Sequence, residues 1–191
     1  MARTIHCEPL TEVEYASYGG IISTDVVNDR TVSVNNGTAR RTPEVVPTQN
    51  LYARAPSQMP ARAVLNVSLA RPREVQPWNG VTENMGHGAK RVLKVKTLER
   101  HRYSTQSFVP MGANIKYLVV VTEEGDTPNM DRLCGFIASD KQGVCYNPGI
   151  WHAPMSVIDQ PVSFAIVQHI NGVPDEDCQF FHLEEELEIV F

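Results

Sequence analysis

The 191-residue chain reads as all-β, an antiparallel sandwich or barrel with a few short peripheral helices. Short apolar segments with two-residue alternation recur from residue 63 to residue 169. Gly and Pro punctuate them, and no helical periodicity lies between them, as parallel strands would require.

One clear helix signal comes first: Thr11-Glu12-Val13-Glu14 fits a capping box, and Gly19-Gly20 stops the helix after Tyr18. Asn36-Gly37, after the alternating TVSVN, is a hairpin turn. Pro43, Pro47, Pro56 and Pro60 make the region from Thr42 to Pro60 an irregular crossing segment. Strands are predicted at Ala63–Leu69, Val92–His101, Gln106–Val109, Ile115–Val121, Leu133–Ile137, Val144–Tyr146 and Val162–His169. Between the first two lies WNGVTENMGHGAK, with two glycines flanking His87 and no apolar period; it is either a flap beside a pocket or a surface loop. The tail HLEEELEIVF is either a closing strand or a dimer arm.

Composition sets the outer limits. The length, with 42% hydrophobic and 20% charged residues, fits one domain spanning 1–191 with a substantial core. A net charge of -5 argues against nucleic acid and anionic membranes as partners, while a local basic pocket still admits a small anionic substrate. MARTIHCEPL lacks the apolar region of a signal peptide, and the longest aliphatic run, Leu118 to Val121, is far too short to span a bilayer. Cys7, Cys134, Cys145 and Cys178 form no C-x-x-C pair and read as reduced thiols, so the expected compartment is the cytoplasm.

Three constellations carry candidate chemistry. In LKVKTLERH, alternation puts Leu93, Val95, Thr97, Glu99 and His101 on one face, aliphatic at first and ionisable at its end. Such a face suits the mouth of a barrel pocket, and Gln106 joins it if Phe108 points inward. In GVCYNPGIWHAP, Asn147-Pro148-Gly149 is a turn leading into Trp151 and His152, which alternate, so only one of the pair is expected to face the interior. Lys116, in the apolar strand IKYLVVV, either faces a substrate carboxylate or snorkels outward. Arg40, Arg41, Arg54 and Arg62 are further cations undistinguished by spacing, and His6, His87, His169 and His182 lack partners in sequence. A G-x-S-x-G elbow, a phosphate loop, a dinucleotide fingerprint and H-E-x-x-H are all absent.

Glu99-x-His101-x4-Gln106 and Gly149-x-x-His152 resemble the two motifs of the cupins, H-x-H-x4-E and G-x-x-H, with Glu and Gln replacing two of the usual ligands. That resemblance implies a double-stranded β-helix barrel, with Glu99, His101, Gln106 and His152 holding a divalent metal weakly. A narrower resemblance rests on LERH-x3-TQSFVPMG, YLVVV followed by GDTPNMDRLCGFI, GVCYNPGIWHAPM and NNGTARR. Together these are similar to the ureidoglycolate lyase family. The resemblance implies elimination of urea from (S)-ureidoglycolate to give glyoxylate in allantoin breakdown, a homodimer, and nickel as the metal. Under it His101 or His152 is the base, Glu99 orients the imidazole, and Gln106, Lys116, Trp151 and Arg62 contact substrate. The alternative is a non-catalytic or metal-dependent cupin that binds another small 2-oxo or 2-hydroxy acid.

Overall fold

The computed structural model describes residues 3–80 and 90–191, so the part of the WNGVTENMGHGAK loop that contains His87 lies outside the described residues. In chain order the elements are β1 (Arg3–Pro9), α1 (Glu12–Tyr15), β2 (Gly19–Ile22), β3 (Val32–Val34), β4 (Ala39–Arg41), β5 (Arg62–Ala70), β6 (Gln76–Pro77), β7 (Arg91–Arg100) and β8 (Gln106–Met111). They continue with β9 (Lys116–Thr122), β10 (Cys134–Ser139), β11 (Gly143–Tyr146), β12 (Trp151–His152), β13 (Ser156–Val157), β14 (Val162–Ile170), α2 (Pro174–Asp177) and β15 (Gln179–Val190). The protein is all-β, and the predicted strands are all present.

Local chemistry explains the small elements. Thr11 Oγ1 accepts the Glu14 amide at 3.3 Å and caps α1, which lasts a single turn because the chain swings into β2 at Gly19. The β3–β4 hairpin turns through Asn35, Asn36 and Gly37, all in the left-handed region that Asn and Gly tolerate. Among the described residues, no helix is long and apolar enough to cross a membrane.

The chain passes back and forth between two main sheets. The smaller sheet runs β2-β11-β8-β14-β5. The larger runs β10-β1-β15-β7-β12-β9-β13, and because β10 also pairs with β9, it closes into a ring. β1 lies parallel to both β10 and β15, which joins the N-terminal strand to the tail. The tail is thus the closing strand of the two readings its sequence allowed.

Ring closure creates two hydrophobic cores. Leu118 and Val120 of β9 point into a core shared with Ile5, Leu93, Val95, Leu98, Trp151, Leu187 and Ile189. Tyr117, Val119 and Val121 point the other way, into a core between the sheets with Phe108, Phe136, Val144, Tyr146 and Phe164. β9 and β12 are therefore a wall with a core on each side. Strands buried on both faces lose the hydrophobic–polar alternation that half-buried strands show, which is why YLVVV reads as a continuous apolar run.

Candidate functional site: a carboxylate and two imidazoles at the end of the inter-sheet core

β7 delivers Glu99 and leads to His101, and β12 delivers His152 directly opposite Glu99 in the ladder. The face assignment made from sequence needs correction here. Leu93 and Val95 point into the ring core, and so does Leu98, so the alternation changes phase between residues 95 and 98. The pairing of β7 with β15 shifts register at the same place, between His182 and Leu187. Glu99 and His101 consequently leave the face of Leu93 and Val95 and turn toward the inter-sheet side. The Gly149 amide donates to the His101 carbonyl at 2.9 Å and ties the two motifs together.

Glu99 Oε1 lies 3.6 Å from His152 Nε2, and the His101 and His152 rings stack with centroids 5.6 Å apart. One donor atom from each of the three residues falls within 4.8 Å of the others. The backbone fixes both imidazoles. His101 Nδ1 lies 2.7 Å from the Asp177 carbonyl, and His152 Nδ1 lies 3.0 Å from the Ile150 carbonyl. A carbonyl can only accept, so each Nδ1 carries the hydrogen and each Nε2 of a neutral ring presents a lone pair. Both Nε2 atoms are buried without a partner, as is Gln106 Oε1.

The electrostatics follow from this packing. Burial, and then the charge on His152, push His101 down to about 4, against the opposing pull of the Asp177 carbonyl and Glu99. Burial pushes the Glu99 carboxyl up, but the His152 contact and the charges of both imidazoles outweigh it and hold it below the ordinary range. Cys178 is no thiolate, because burial and then the negative charges of Glu99 and Asp177 push its thiol up to about 12.

Two imidazole Nε2 atoms facing a carboxylate, with no Lys or Arg in the cluster, is an arrangement that a divalent cation fits. The unpartnered Nε2 atoms and the backbone-anchored Nδ1 atoms are the features of this structure that support such a fit. The donor set of two nitrogens and one carboxylate oxygen suits several divalent transition metals.

Other candidates fall in different places. Gln106 is buried at the start of β8, opposite Tyr146, whose ring stacks on His152 at 4.0 Å. Its Nε2 donates to Gln168 Oε1 at 2.7 Å. Trp151 is buried as deeply as His152 but faces the ring core; its Nε1 donates to the Gly125 carbonyl at 2.9 Å and the Arg100 guanidinium stacks on it at 4.4 Å. The expectation that only one of Trp151 and His152 would be interior fails because both sides of β12 are interior. Lys116 does not join the cluster. It is exposed at the start of β9, five residues from the Val121 that pairs with His152, on the ring-core parity of the strand. Arg62 is exposed at the end of edge strand β5, two residues from Val64, which pairs with Gln168.

Sequence reasoning missed Tyr146, Gln168, Tyr52 and Asp177. Gln168 was legible: in SFAIVQHI it shares the phase of Phe164 and Ile166, an amide at the end of an apolar face. Tyr146 sits in a strand buried throughout, and Asp177 meets His101 through its backbone carbonyl, so neither leaves a side-chain pattern.

The ureidoglycolate lyase family model matches residues 2–190. The chain belongs to the ureidoglycolate lyase family. It is 31% identical to the ureidoglycolate lyase of Schizosaccharomyces pombe, covering 98% of this chain and 96% of that one. To the ureidoglycolate lyase of Saccharomyces cerevisiae it is 33% identical, over 95% of each. Among solved structures, a dTDP sugar isomerase from Desulfovibrio desulfuricans aligns over 81% of each chain with a TM-score of 0.41 and 15% identity.

Proposed function

We propose that this chain is a ureidoglycolate lyase that converts (S)-ureidoglycolate into glyoxylate and urea. The observation that carries the reading is the convergence of Glu99 with the two unpartnered Nε2 atoms of His101 and His152, in a chain of this family. The substrate carbon bears a hydroxyl, a ureido nitrogen, a hydrogen and a carboxylate. The hydroxyl loses its proton as C=O forms, the C–N pair leaves with nitrogen, and that nitrogen gains a proton. No water is consumed.

His152 Nε2 accepts the hydroxyl proton in this reading. Its Nδ1–H is held by the Ile150 carbonyl, and Glu99 at 3.6 Å stabilises the imidazolium that forms. The same proton then passes from Nε2 to the departing nitrogen. His101, pushed down to about 4, stays neutral and offers its Nε2 lone pair. Gln106 Oε1, an unpaired acceptor, meets the ureido N–H groups while Gln168 fixes the amide's orientation. Arg62, at the same end of the small sheet, is the cation assigned to the carboxylate. In the alternative, metal-bound form of the site Glu99, His101 and His152 would hold a divalent metal, nickel by family resemblance, with Gln106 as a weak fourth donor; the His152 Nε2 lone pair would then be a ligand and not the base. When bound, the metal supplies Lewis-acid polarisation of the substrate oxygen.

The enzyme is also read as a cytoplasmic homodimer. Leu65, Val67 and Leu69 project from one face of edge strand β5 with 69%, 69% and 55% of their surface exposed, and a second copy would cover them.

Incubation with racemic ureidoglycolate tests the activity. Urea release from half of the racemate is expected; ammonia would instead indicate amidohydrolase chemistry, and neither product would indicate a binding module. Dialysis against a chelator, followed by added nickel, separates the two forms: turnover that falls and is then restored assigns the Nε2 atoms to the metal. Undiminished metal-free turnover would remove the metal from the reading.

A further inference from the structure

The turn that leads from β14 through α2 into β15 supplies the carbonyl that orients His101, and a dense polar bracket holds that turn. The Asp177 carboxylate accepts three hydrogen bonds: from Tyr52 Oη at 2.6 Å, and from the amides of Asn171 and Gly172 at 2.9 Å each. The neighbouring Glu176 carboxylate accepts the Ser57 amide at 2.7 Å, the Ser57 hydroxyl at 2.6 Å and the Asn171 side-chain amide at 2.6 Å. Two adjacent carboxylates thus tie α2 to the 52–57 segment and to the end of β14.

That segment is itself fastened to the turn after His101. The Leu51 amide donates to the Tyr103 carbonyl at 2.7 Å, and the Tyr52 and Tyr103 rings pack 5.7 Å apart. The Tyr52 ring is fully buried, and its phenol is held well above the ordinary range by burial and by the bond to Asp177, so it is a donor at any working pH. His101 is consequently gripped from both directions: its chain turn by Tyr103 and Leu51, its ring by the Asp177 carbonyl.

We propose that Tyr52 and the Asp177 carboxylate are positioning residues that fix the His101 ring through the Asp177 backbone carbonyl. The inference rests on His101 serving the proposed site. Neither residue touches the Glu99–His101–His152 donor atoms; each acts through one carbonyl, which must stay within hydrogen-bond reach of Nδ1 for Nε2 to point at the cluster. Partners of this kind typically change activity by about 10–100-fold when removed.

The test reads the His101 Nδ1–H resonance in side-chain nitrogen–proton NMR spectra of the full-length, chelator-treated protein, and urea release by the same full-length protein as purified. Tyr52→Phe keeps the ring and deletes the hydroxyl. Solvent exchange of the His101 Nδ1–H should accelerate at least about tenfold, and kcat should fall about tenfold with KM within about twofold. Ser57→Ala, which loosens the Glu176 half of the bracket, should shift the same resonance less, and it decides the matter alone if Tyr52→Phe does not fold. An unchanged His101 resonance in folded variants overturns the proposal, even if turnover falls. Accelerated exchange in a protein whose wild type releases no urea would uphold the positioning role while removing the lyase reading.

Discussion

Trp151 and His152 are neighbours on a two-residue strand, both are almost wholly buried, and they end in opposite kinds of interior. On the Trp151 side, polar atoms are matched. Its indole N–H reaches the Gly125 carbonyl at 2.9 Å, and Arg100 donates to that same carbonyl and, at 2.7 Å, to Gln179 Oε1. On the His152 side, two imidazole nitrogens and an amide oxygen are buried without partners. Burial of an unpaired polar group costs roughly 1–3 kcal/mol. Leaving several such groups unmatched on one side of a strand carries a cost that the ligand of the proposed site would offset, and the contrast separates structure from proposed chemistry more sharply than burial alone.

The largest expected effect breaks the comparison directly. His152→Ala should lower kcat by about 10²–10⁴-fold, the usual contribution of a positioned acid–base group. Trp151→Phe should leave kcat and KM within about twofold. It would instead cost about 1–3 kcal/mol of stability, from the lost hydrogen bond and the weakened guanidinium stacking. Steady-state urea release and urea denaturation of both variants check the pair. A tenfold rise in KM for Trp151→Phe would return that residue to the substrate site, where the sequence reading had put it.

The two interiors also differ in how they respond to acid. His101 titrates near 4 in the folded protein against an ordinary 6.5, so the unfolded chain binds the extra proton first. Its stabilising contribution is complete above about pH 6.5 and is lost as pH falls toward 4, by about 3 kcal/mol in all. Glu99, also depressed, adds its loss only below the ordinary carboxylate range. Arg100, on the other side, is lowered by burial and by the charge of Arg102 but stays charged throughout this window. Chelator-treated protein should therefore lose stability between pH 6.5 and 4, and His101→Gln should flatten that slope. An unchanged slope in the variant would place the acid sensitivity elsewhere.

The strands were legible because β-branched runs, Gly and Pro mark them locally. The ring closure was not, since it depends on β1 pairing in parallel with strands far away in sequence. Glu99 and His101 were picked out by an alternation that the structure does not keep. They reach the site because the strand changes phase between Val95 and Leu98, a long-range consequence of the irregular pairing with β15. Gln106 and His152 were readable from their motifs, whereas the Asp177 carbonyl carries no side-chain signature at all.

The smallest predicted effect tests the wall between the two interiors. Lys116 begins β9, and Val121 five residues later is the partner of His152, a separation of roughly 17 Å along an extended strand. Lys116 also shares the parity of Leu118 and Val120, which point into the ring core and away from His152. A lysine at that end and on that face of the strand is out of reach of the carboxylate in the proposed reading, which places the substrate's α-carbon beside His152. Lys116→Ala should change kcat/KM by less than about twofold and stability by no more than about 0.5 kcal/mol, as for an ordinary surface substitution. Arg62→Ala, at the site end of the small sheet, should instead raise KM with little change in kcat, the sign of lost uniform binding. If the lysine variant loses affinity and the arginine variant does not, the substrate enters from the opposite end of β9, and the proton route through His152 has no carboxylate anchor.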